Sequence, residues 1–334
     1  MRCTSKLLYD IKRKWRLWVI GVLTVGMFTG CGSLSYDMAY NPDSEISSFN
    51  VIAKQKPGIA SSFAEELCIV TQDVTDDEQV DMTEASSAVL FDINNHEVLY
   101  SKNAHERLYP ASLTKVMTAL VALKYGTSDQ VLTATDTVNI TESGAQLCGL
   151  ESGDTMTLSQ ALNVLLIYSA NDVAMLIAEN IGGTPDNFLV VMNEEARALG
   201  ATNSNFTNPH GLTDENHYTT AYDLYLIFNE AIKYETFREI IHMTSYQTTY
   251  YDKDGNPKEL SFETTNLFLR GYYQSPDNIT VIGGKTGTTN AAGHCLLLLS
   301  KDTKGASYIS IILRSSTRDI LYAEMTDLLD EIKN

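Results

Sequence analysis

The hydrophobic and polar positions of the chain change period near residue 109. Residues 86–106, SSAVLFDINNHEVLYSKNAHE, alternate apolar and polar side chains around two adjacent asparagines, which predicts a β-hairpin. Residues 109–120, YPASLTKVMTAL, instead repeat apolar side chains at intervals of three and four. That interval is typical of a helix with one buried face, and we expect this helix to begin near Pro110 and to end near Gly126.

The same two periods predict the elements that follow. A hairpin is expected over residues 245–264, and three consecutive strands are expected within residues 278–313. The expected helices cover residues 157–169, 184–200, 220–234 and about 318–332. Strands at both ends with helices between them predict an α/β (α+β) fold. We expect a mainly antiparallel sheet that is flanked by helices, together with a helical lobe. We expect residues 85–334 to form this one domain.

The N-terminal residues differ in composition from the rest. Residues 1–30 carry six basic side chains and one acidic one, and residues 17–28 form an apolar run. The run is shorter than the about 20 residues that span a bilayer, so it predicts an export signal. It ends at residues 28–31, FTGC, which resemble the lipobox of bacterial lipoproteins, with Phe28 where Leu or Val is usual. We expect Cys31 to be lipidated; plain signal cleavage and an uncleaved anchor stay open.

An acidic stretch separates this signal from the predicted domain. Residues 31–84 contain eleven acidic and two basic side chains and few aromatic ones, which predicts a largely disordered tether. Within it, residues 63–70, FAEELCIV, could pack on the domain as a short ordered piece. The formal net charge of the whole chain is −18, which argues against a nucleic-acid partner. We expect an exported protein at the outer face of the cytoplasmic membrane or in the cell-wall space, held at its N-terminus.

The cysteines predict neither a disulfide framework nor a metal site. Beyond the signal, Cys68, Cys148 and Cys295 are widely spaced, and no Cys/His spacing suggests zinc. A bridge between Cys148 and Cys295 is left open by the spacing.

Two polar residues interrupt the apolar stripe of the first predicted helix. Ser112 and Lys115 lie three apart and therefore on one helix face. A serine hydroxyl needs a base within hydrogen-bond reach to act as a nucleophile, and a lysine serves when burial lowers its pKa. Taken alone, the pair is equally well explained by a capping serine and a surface lysine, because such spacing occurs by chance.

Two further motifs follow in the chain. Ser169 and Asn171, in YSAND, stand where one helix ends and another begins, so a hydroxyl and an amide can aim at one point. Residues 283–289, GGKTGTT, add the positive charge of Lys285, and a glycine that lets another chain approach a strand edge. Each motif alone has an ordinary structural explanation.

Together, and in this order, the three motifs resemble a known set of enzyme motifs. S-x-x-K, S-D-N and K-T-G mark penicillin-binding proteins and class A β-lactamases, and here Ala170 replaces the Asp. The surrounding residues closely resemble serine-type D-alanyl-D-alanine carboxypeptidases, the low-molecular-mass penicillin-binding proteins of the peptidase S11 kind, over about residues 85–334. The matching segments are PASLTK (110–115), SAND (169–172), FTNPHGL (206–212) and GGKTGTTNAAGHCL (283–296).

The resemblance implies a β-lactamase/penicillin-binding-protein-like transpeptidase fold and removal of the terminal D-Ala from peptidoglycan stem pentapeptides. It implies that Ser112 is the nucleophile, that Lys115 is its general base, and that Ser169 and Asn171 orient Lys115 and the substrate. It also implies covalent acylation by β-lactam antibiotics and no metal or organic cofactor.

On the substrate side, the resemblance implies that the terminal carboxylate and backbone are held by Lys285, Thr286 and Gly287. The backbone N–H groups of Ser112 and Thr288 are expected to form an oxyanion hole. Relatives place an arginine early in the last helix, and Arg318 is the candidate here, with a helix-terminal surface charge as the alternative.

Other functions stay open at this point. A β-lactamase of the same fold would need a deacylating base, and the E-x-x-L-N segment of class A enzymes is missing. A non-catalytic wall-binding or penicillin-sensing lipoprotein would not need both Ser112 and Lys115. His210, in NPHGL, is expected to hold its loop rather than to act as a base.

Overall fold

Nine strands and seven α-helices are found in the computed structural model, which describes residues 64–75 and 80–332. The strands are β1 (Ser87–Asp92), β2 (Glu97–Lys102), β3 (Val131–Thr133), β4 (Thr155–Thr157), β5 (Ser245–Tyr251), β6 (Pro257–Glu263), β7 (Ile279–Thr289), β8 (Gly293–Asp302) and β9 (Ser307–Ser315). The helices are α1 (Thr114–Tyr125), α2 (Leu158–Asn163), α3 (Asn171–Gly182), α4 (Pro185–Ala198), α5 (Ala221–Ala231), α6 (Glu235–His242) and α7 (Arg318–Asp330).

The central sheet is antiparallel, with the strand order β2-β1-β9-β8-β7. Alternate residues of β1 enter two different cores: Val89 and Phe91 join the core under the helices, and Ala88 and Leu90 join a second core that α7 covers. Both faces of the sheet are therefore buried, which makes every residue of β1 buried. The predicted antiparallel sheet flanked by helices is confirmed, and so are the three consecutive strands.

Helix α1 is more deeply buried than the sequence predicts. Its residues from Thr114 to Ala122 are all buried, polar ones included. The helix packs against α3, α4 and α5 within the first core, so it presents no wet face from Thr114 to Ala122. Any polar side chain in those turns must find its hydrogen-bond partners inside the protein.

A second, smaller sheet has the order β3-β4-β5-β6. The hairpin expected over residues 245–264 forms β5 and β6, while β3, β4 and α6 were not predicted because each is short. The helix expected over residues 157–169 begins as predicted, with Thr157 and Gln160 forming a capping box. It then widens into a π-helical turn over Val164–Tyr168.

The described residues that precede residue 85 pack against the domain. Cys68 is completely buried, its N–H donates to the Tyr225 hydroxyl, and Val74 pairs with Ser101 beside the edge of the sheet. Residues 64–75 and 80–84 thus lie on the domain, and the rest of the predicted tether stays a prediction. The signal and Cys31 lie outside the described residues.

The cysteines and the helices of the described residues give two further findings. Cys148 and Cys295 are free thiols, so the bridge left open by their spacing is not formed. Among helices in residues 64–75 and 80–332, none combines the length and the apolar character needed to cross a bilayer.

Candidate active site

The turn before α1 presents Ser112. Residues Ala111–Leu113 form a single 3₁₀ turn, and Ala111 has a φ of 48°, in the left-handed region that non-glycine residues rarely adopt. This turn places the half-buried Ser112 at the wall of a cavity. The first predicted helix therefore begins with a distorted turn, and α1 proper starts at Thr114.

Lys115 lies behind Ser112 and is completely buried. Its Nζ is 2.9 Å from Ser112 Oγ, 2.6 Å from Asn171 Oδ1 and 2.7 Å from the carbonyl oxygen of His210. Burial, followed by the nearby charge of Lys285, lowers the pKa of Lys115 well below its ordinary value. A neutral amine in this place donates two hydrogens to Asn171 and His210 and has one lone pair left for the Ser112 hydroxyl.

The junction between the π-helical turn and α3 carries the second motif. The turn ends at Ser169, which has a φ of 72° and donates its N–H to the carbonyl of Val164. This sharp change of direction brings Ser169 Oγ and Asn171 Oδ1 to the same cavity wall. The N–H of Asn171 donates to the carbonyl of Gln146, which ties the junction to the loop before β4.

Strand β7 carries the third motif at the edge of the central sheet. Lys285 is buried, and its Nζ donates to Ser169 Oγ at 2.9 Å and to the carbonyl of Thr286 at 2.9 Å. Burial lowers the pKa of Lys285 to about 7. The hydroxyl of Thr286 donates to Thr265 Oγ1 at 2.6 Å.

Gly287 brings β7 into contact with the 3₁₀ turn Ala111–Leu113, which is called the catalytic turn from here on. A Cβ at this position would lie 3.0 Å from the carbonyl oxygen of Pro110, 3.1 Å from Ala111 Cβ and 3.1 Å from the N atom of Ser112. A side chain here would force the strand edge and the turn before α1 apart by a few tenths of an ångström, so glycine suits this close approach to Ser112.

The three motifs meet at a cavity of about 820 Å³. Ser112, Ser169, Asn171, Thr286 and Gly287 line it, and the Nζ atoms of Lys115 and Lys285 lie directly behind its wall. The cavity also reaches the remaining predicted substrate-binding residues, Thr288 and Arg318.

The family of the chain follows from comparison with known proteins. Residues 73–317 match the family model of the D-alanyl-D-alanine carboxypeptidases, peptidase S11. The chain belongs to this family.

Curated members of the family are similar over most of this chain. The D-alanyl-D-alanine carboxypeptidase DacF of Bacillus subtilis (strain 168) is 35% identical over 255 residues, which cover 74% of this chain and 61% of DacF. DacC of Escherichia coli (strain K12) is 31% identical over 256 residues, which cover 74% of this chain and 60% of DacC. The chain thus spans about three fifths of the length of these relatives.

The fold is also similar to that of a solved structure. The Streptomyces K15 DD-transpeptidase matches 75% of this chain and 98% of its own chain, with a TM-score of 0.69 and 26% sequence identity. The expected transpeptidase-like fold is confirmed.

The hydrogen bonds divide the residues of the second motif between the two lysines. The resemblance implies that Ser169 and Asn171 orient Lys115 and the substrate, and in the structure Asn171 Oδ1 accepts from Lys115 while Ser169 Oγ accepts from Lys285. His210 holds its loop as predicted, because its Nδ1 accepts the N–H of Leu212. Burial lowers the pKa of His210 to about 3, so its ring is neutral at neutral pH.

Sequence reasoning missed several buried polar residues behind the cavity. The Asp172 carboxylate accepts the N–H groups of Cys148, Gly149 and Leu150 and so fixes the loop before β4. Another is His217, which contacts Thr114. The only signal for Asp172 was its place in the first turn of a helix, where acids are common, and His217 gave none.

Proposed function

We propose that this chain is a serine D-alanyl-D-alanine carboxypeptidase that removes the terminal D-Ala from peptidoglycan stem pentapeptides. The observation that carries the proposal is the contact of 2.9 Å between Ser112 Oγ and a fully buried Lys115. Burial favours the neutral amine, and a neutral amine beside a serine hydroxyl is a general base. A pocket that only bound a peptide would not need this pair.

The acylation step follows from this geometry. Lys115 takes the proton of Ser112, and Ser112 Oγ attacks the carbonyl carbon of the penultimate D-Ala. The backbone N–H groups of Ser112 and Thr288 are proposed to stabilise the oxyanion, because β7 lies against the catalytic turn at Gly287. The C–N bond breaks as the proton held by Lys115 passes through Ser169 to the leaving amine. Water then adds to the serine ester, which releases the shortened peptide as a carboxylic acid and restores the Ser112 hydroxyl.

Substrate binding is assigned to β7 and the rim of the cavity. An ammonium has three N–H donors, and Lys285 uses two of them for Ser169 and the Thr286 carbonyl, so a third can serve the terminal carboxylate of the peptide. The substrate backbone is proposed to pair with the strand at Gly287, where a side chain would interfere. The Asn171 amide would bind the substrate as well as Lys115.

Arg318 is proposed as a second ligand of that carboxylate. It is the first residue of α7 and lines the same cavity as Thr286 and Thr288. A guanidinium at this rim can bind a carboxylate with two parallel hydrogen bonds, which the single Nζ of Lys285 cannot do.

The test is release of D-alanine from a peptide that ends in two D-alanines. We expect release by the wild type and none by Ser112→Ala, and we expect a fluorescent penicillin to label the wild type covalently and slowly. No release by the wild type, or equal release by both proteins, would reject the carboxypeptidase. Labelling without release would instead favour a penicillin sensor, and rapid turnover of the penicillin would favour a β-lactamase.

We further propose that the protein acts outside the cytoplasm and is anchored at the membrane through lipidated Cys31. The basic and apolar residues of the N-terminus and the lipobox-like residues 28–31 support this. Incorporation of radiolabelled palmitate into the wild type, and its loss in Cys31→Ser, is the expected result. Equal labelling of the two proteins, or none of either, would exclude lipidation at Cys31.

A further inference from the structure

The residue before the nucleophile adopts an unfavourable conformation. Ala111 has a φ of 48° and is buried, and a left-handed alanine costs about 1 kcal/mol or more relative to the right-handed form. Neither glycine nor asparagine, which adopt this conformation readily, occupies the position. The surroundings of Ala111 must therefore impose it.

A chain of hydrogen bonds ends on the carbonyl oxygen of Ala111. The Thr114 hydroxyl donates to this oxygen at 2.8 Å, and Thr114 Oγ1 is 2.8 Å from Nε2 of His217. On the other side of the ring, the backbone N–H of Thr207 donates to His217 Nδ1 at 3.0 Å. Because Nδ1 is an acceptor here, the hydrogen of the neutral ring sits on Nε2 and is donated to Thr114.

The part of this chain that runs from His217 through Thr114 to Ala111 is buried. His217 is 1% exposed and Thr114 is 0% exposed, and the ring of Phe206 meets the imidazole edge-on at 5.8 Å between centroids. Burial lowers the pKa of His217 to about 4, although the charge of Asp214 acts against this shift. The ring is therefore neutral at neutral pH, as the pattern of donors requires.

The same loop presses on Ala111 at a second point. A Cβ at Gly211 would lie 1.9 Å from the Ala111 carbonyl oxygen, so the loop backbone packs directly against it. The loop therefore holds this carbonyl by backbone contact and by the His217–Thr114 hydrogen bonds at once.

We infer that His217 is a positioning residue: acting through Thr114, it holds the Ala111 carbonyl so that the left-handed turn presents Ser112 Oγ to Lys115. His217 does not line the cavity, so its effect on the reaction passes through the turn. The inference rests on the proposed function, because the reaction at Ser112 is what the turn serves.

Two matched pairs of variants test the inference. Thr114→Val keeps the shape of the side chain but removes the hydroxyl, and Thr114→Ser keeps the hydroxyl. His217→Leu removes both ring nitrogens, and His217→Gln keeps one donor and one acceptor. The readouts are the rate of acylation by a fluorescent penicillin, kcat and KM for D-alanine release, and the thermal midpoint of each protein.

We expect Thr114→Val and His217→Leu to slow acylation about tenfold or more and to lower kcat with little change in KM, since small displacements of reacting groups have large effects on rate. Thr114→Ser and His217→Gln should stay within about threefold of the wild type, because both keep the hydrogen bonds. The double variant Thr114→Val/His217→Leu should be no slower than the slower single variant, because the two residues act as one unit.

The outcomes separate this inference from the proposed function. If Thr114→Val and His217→Leu melt at lower temperature but acylate at the wild-type rate, the residues are only structural and the inference is wrong, while the function stands. Additive losses in the double variant would also overturn it. If the wild type neither releases D-alanine nor takes up the penicillin, the proposed function fails first and the inference fails with it.

Discussion

The catalytic turn and the edge of β7 each bury one lysine, but they surround it differently. Lys115 Nζ has three oxygen atoms around it, from Ser112, Asn171 and His210. Lys285 Nζ has two within the described part of the chain, from Ser169 and Thr286, both of which line the cavity. Burial lowers the pKa of both side chains, so burial alone does not distinguish their roles.

What distinguishes the two lysines is the set of acceptors. At Lys115, two acceptors use both hydrogens of a neutral amine, and its lone pair faces the Ser112 hydroxyl, which suits a base. At Lys285, an ammonium retains one hydrogen for a ligand in the cavity, which suits an anchor for a carboxylate. One type of side chain thus serves two functions because its neighbours differ.

The largest effect is expected when each lysine is replaced by methionine. Lys115→Met should reduce acylation by a fluorescent penicillin about a thousandfold, because the general base is lost. Lys285→Met should instead raise KM for the peptide about a hundredfold, because a charge-assisted hydrogen bond to the carboxylate is lost. Stopped-flow labelling and steady-state D-alanine release measure the two effects.

Thermal midpoints show whether both lysine variants are folded. If Lys115→Met and Lys285→Met lowered kcat by the same factor and raised KM by the same factor, the division of roles between the two lysines would be contradicted.

The next largest effect is expected at Gly287, where β7 touches the catalytic turn. Gly287→Ala should slow acylation about thirtyfold, because its Cβ would lie 3.0 to 3.1 Å from atoms of Pro110, Ala111 and Ser112 and would separate β7 from the oxyanion position. The measurement is the acylation rate together with the thermal midpoint. A normal rate in a stably folded variant would show that the strand edge takes no part in acylation.

Much of the fold was predictable because its periodic segments are long. The hairpin of β1 and β2, the three strands β7 to β9 and helix α7 follow from apolar spacing alone. The short β3 and β4, of three residues each, carry too few positions to show a period. The complete burial of α1 could not be predicted, since it depends on which elements cover it from both sides.

The site was predictable only as far as its motifs. Spacing and resemblance identified Ser112, Lys115 and Lys285, and the structure places all three at one cavity. The partners of these residues were not predictable, because Ser169 meets Lys285 and His217 meets Thr114 only after distant segments pack. A hydrogen bond across a hundred residues leaves no periodic pattern in the sequence.

The two lysines should also differ in pH dependence. Activity needs Lys115 neutral, so kcat/KM should rise as pH increases through the lowered pKa of Lys115. It needs Lys285 charged, so kcat/KM should fall about tenfold per pH unit once pH passes the Lys285 pKa of about 7. For kcat, which is measured at saturating substrate, the fall on the alkaline side should occur at higher pH. The reason is that a bound carboxylate favours the ammonium form of Lys285.

The pH–rate profile of Lys285→Met is the control for this assignment. Its kcat/KM should be low at every pH and should not fall further above about pH 7. An unchanged fall in that range would assign the titration to a group other than Lys285.

The smallest effect is expected at Asp172, whose charge raises the pKa of Lys115 against the effect of burial. Asp172→Asn removes this charge, so kcat/KM should begin to rise at lower pH, while the maximal rate stays within about threefold because Asp172 does not line the cavity. Stability should fall by about 1–3 kcal/mol, because the N–H groups of Cys148, Gly149 and Leu150 lose their carboxylate.

Asp154→Asn is the matched control for Asp172→Asn. Asp154 is also a buried carboxylate, 2% exposed, but it accepts from Lys258 and from the N–H of Glu151 instead. It should therefore lower stability and leave the acid-side rise of kcat/KM in place. The acid-side rise of kcat/KM could instead shift equally in both variants, or in neither. Either result would show that the charge of Asp172 does not set the pKa of Lys115. The hydrogen bonds of Asp172 to the loop before β4 would then account for the burial of this carboxylate behind the site.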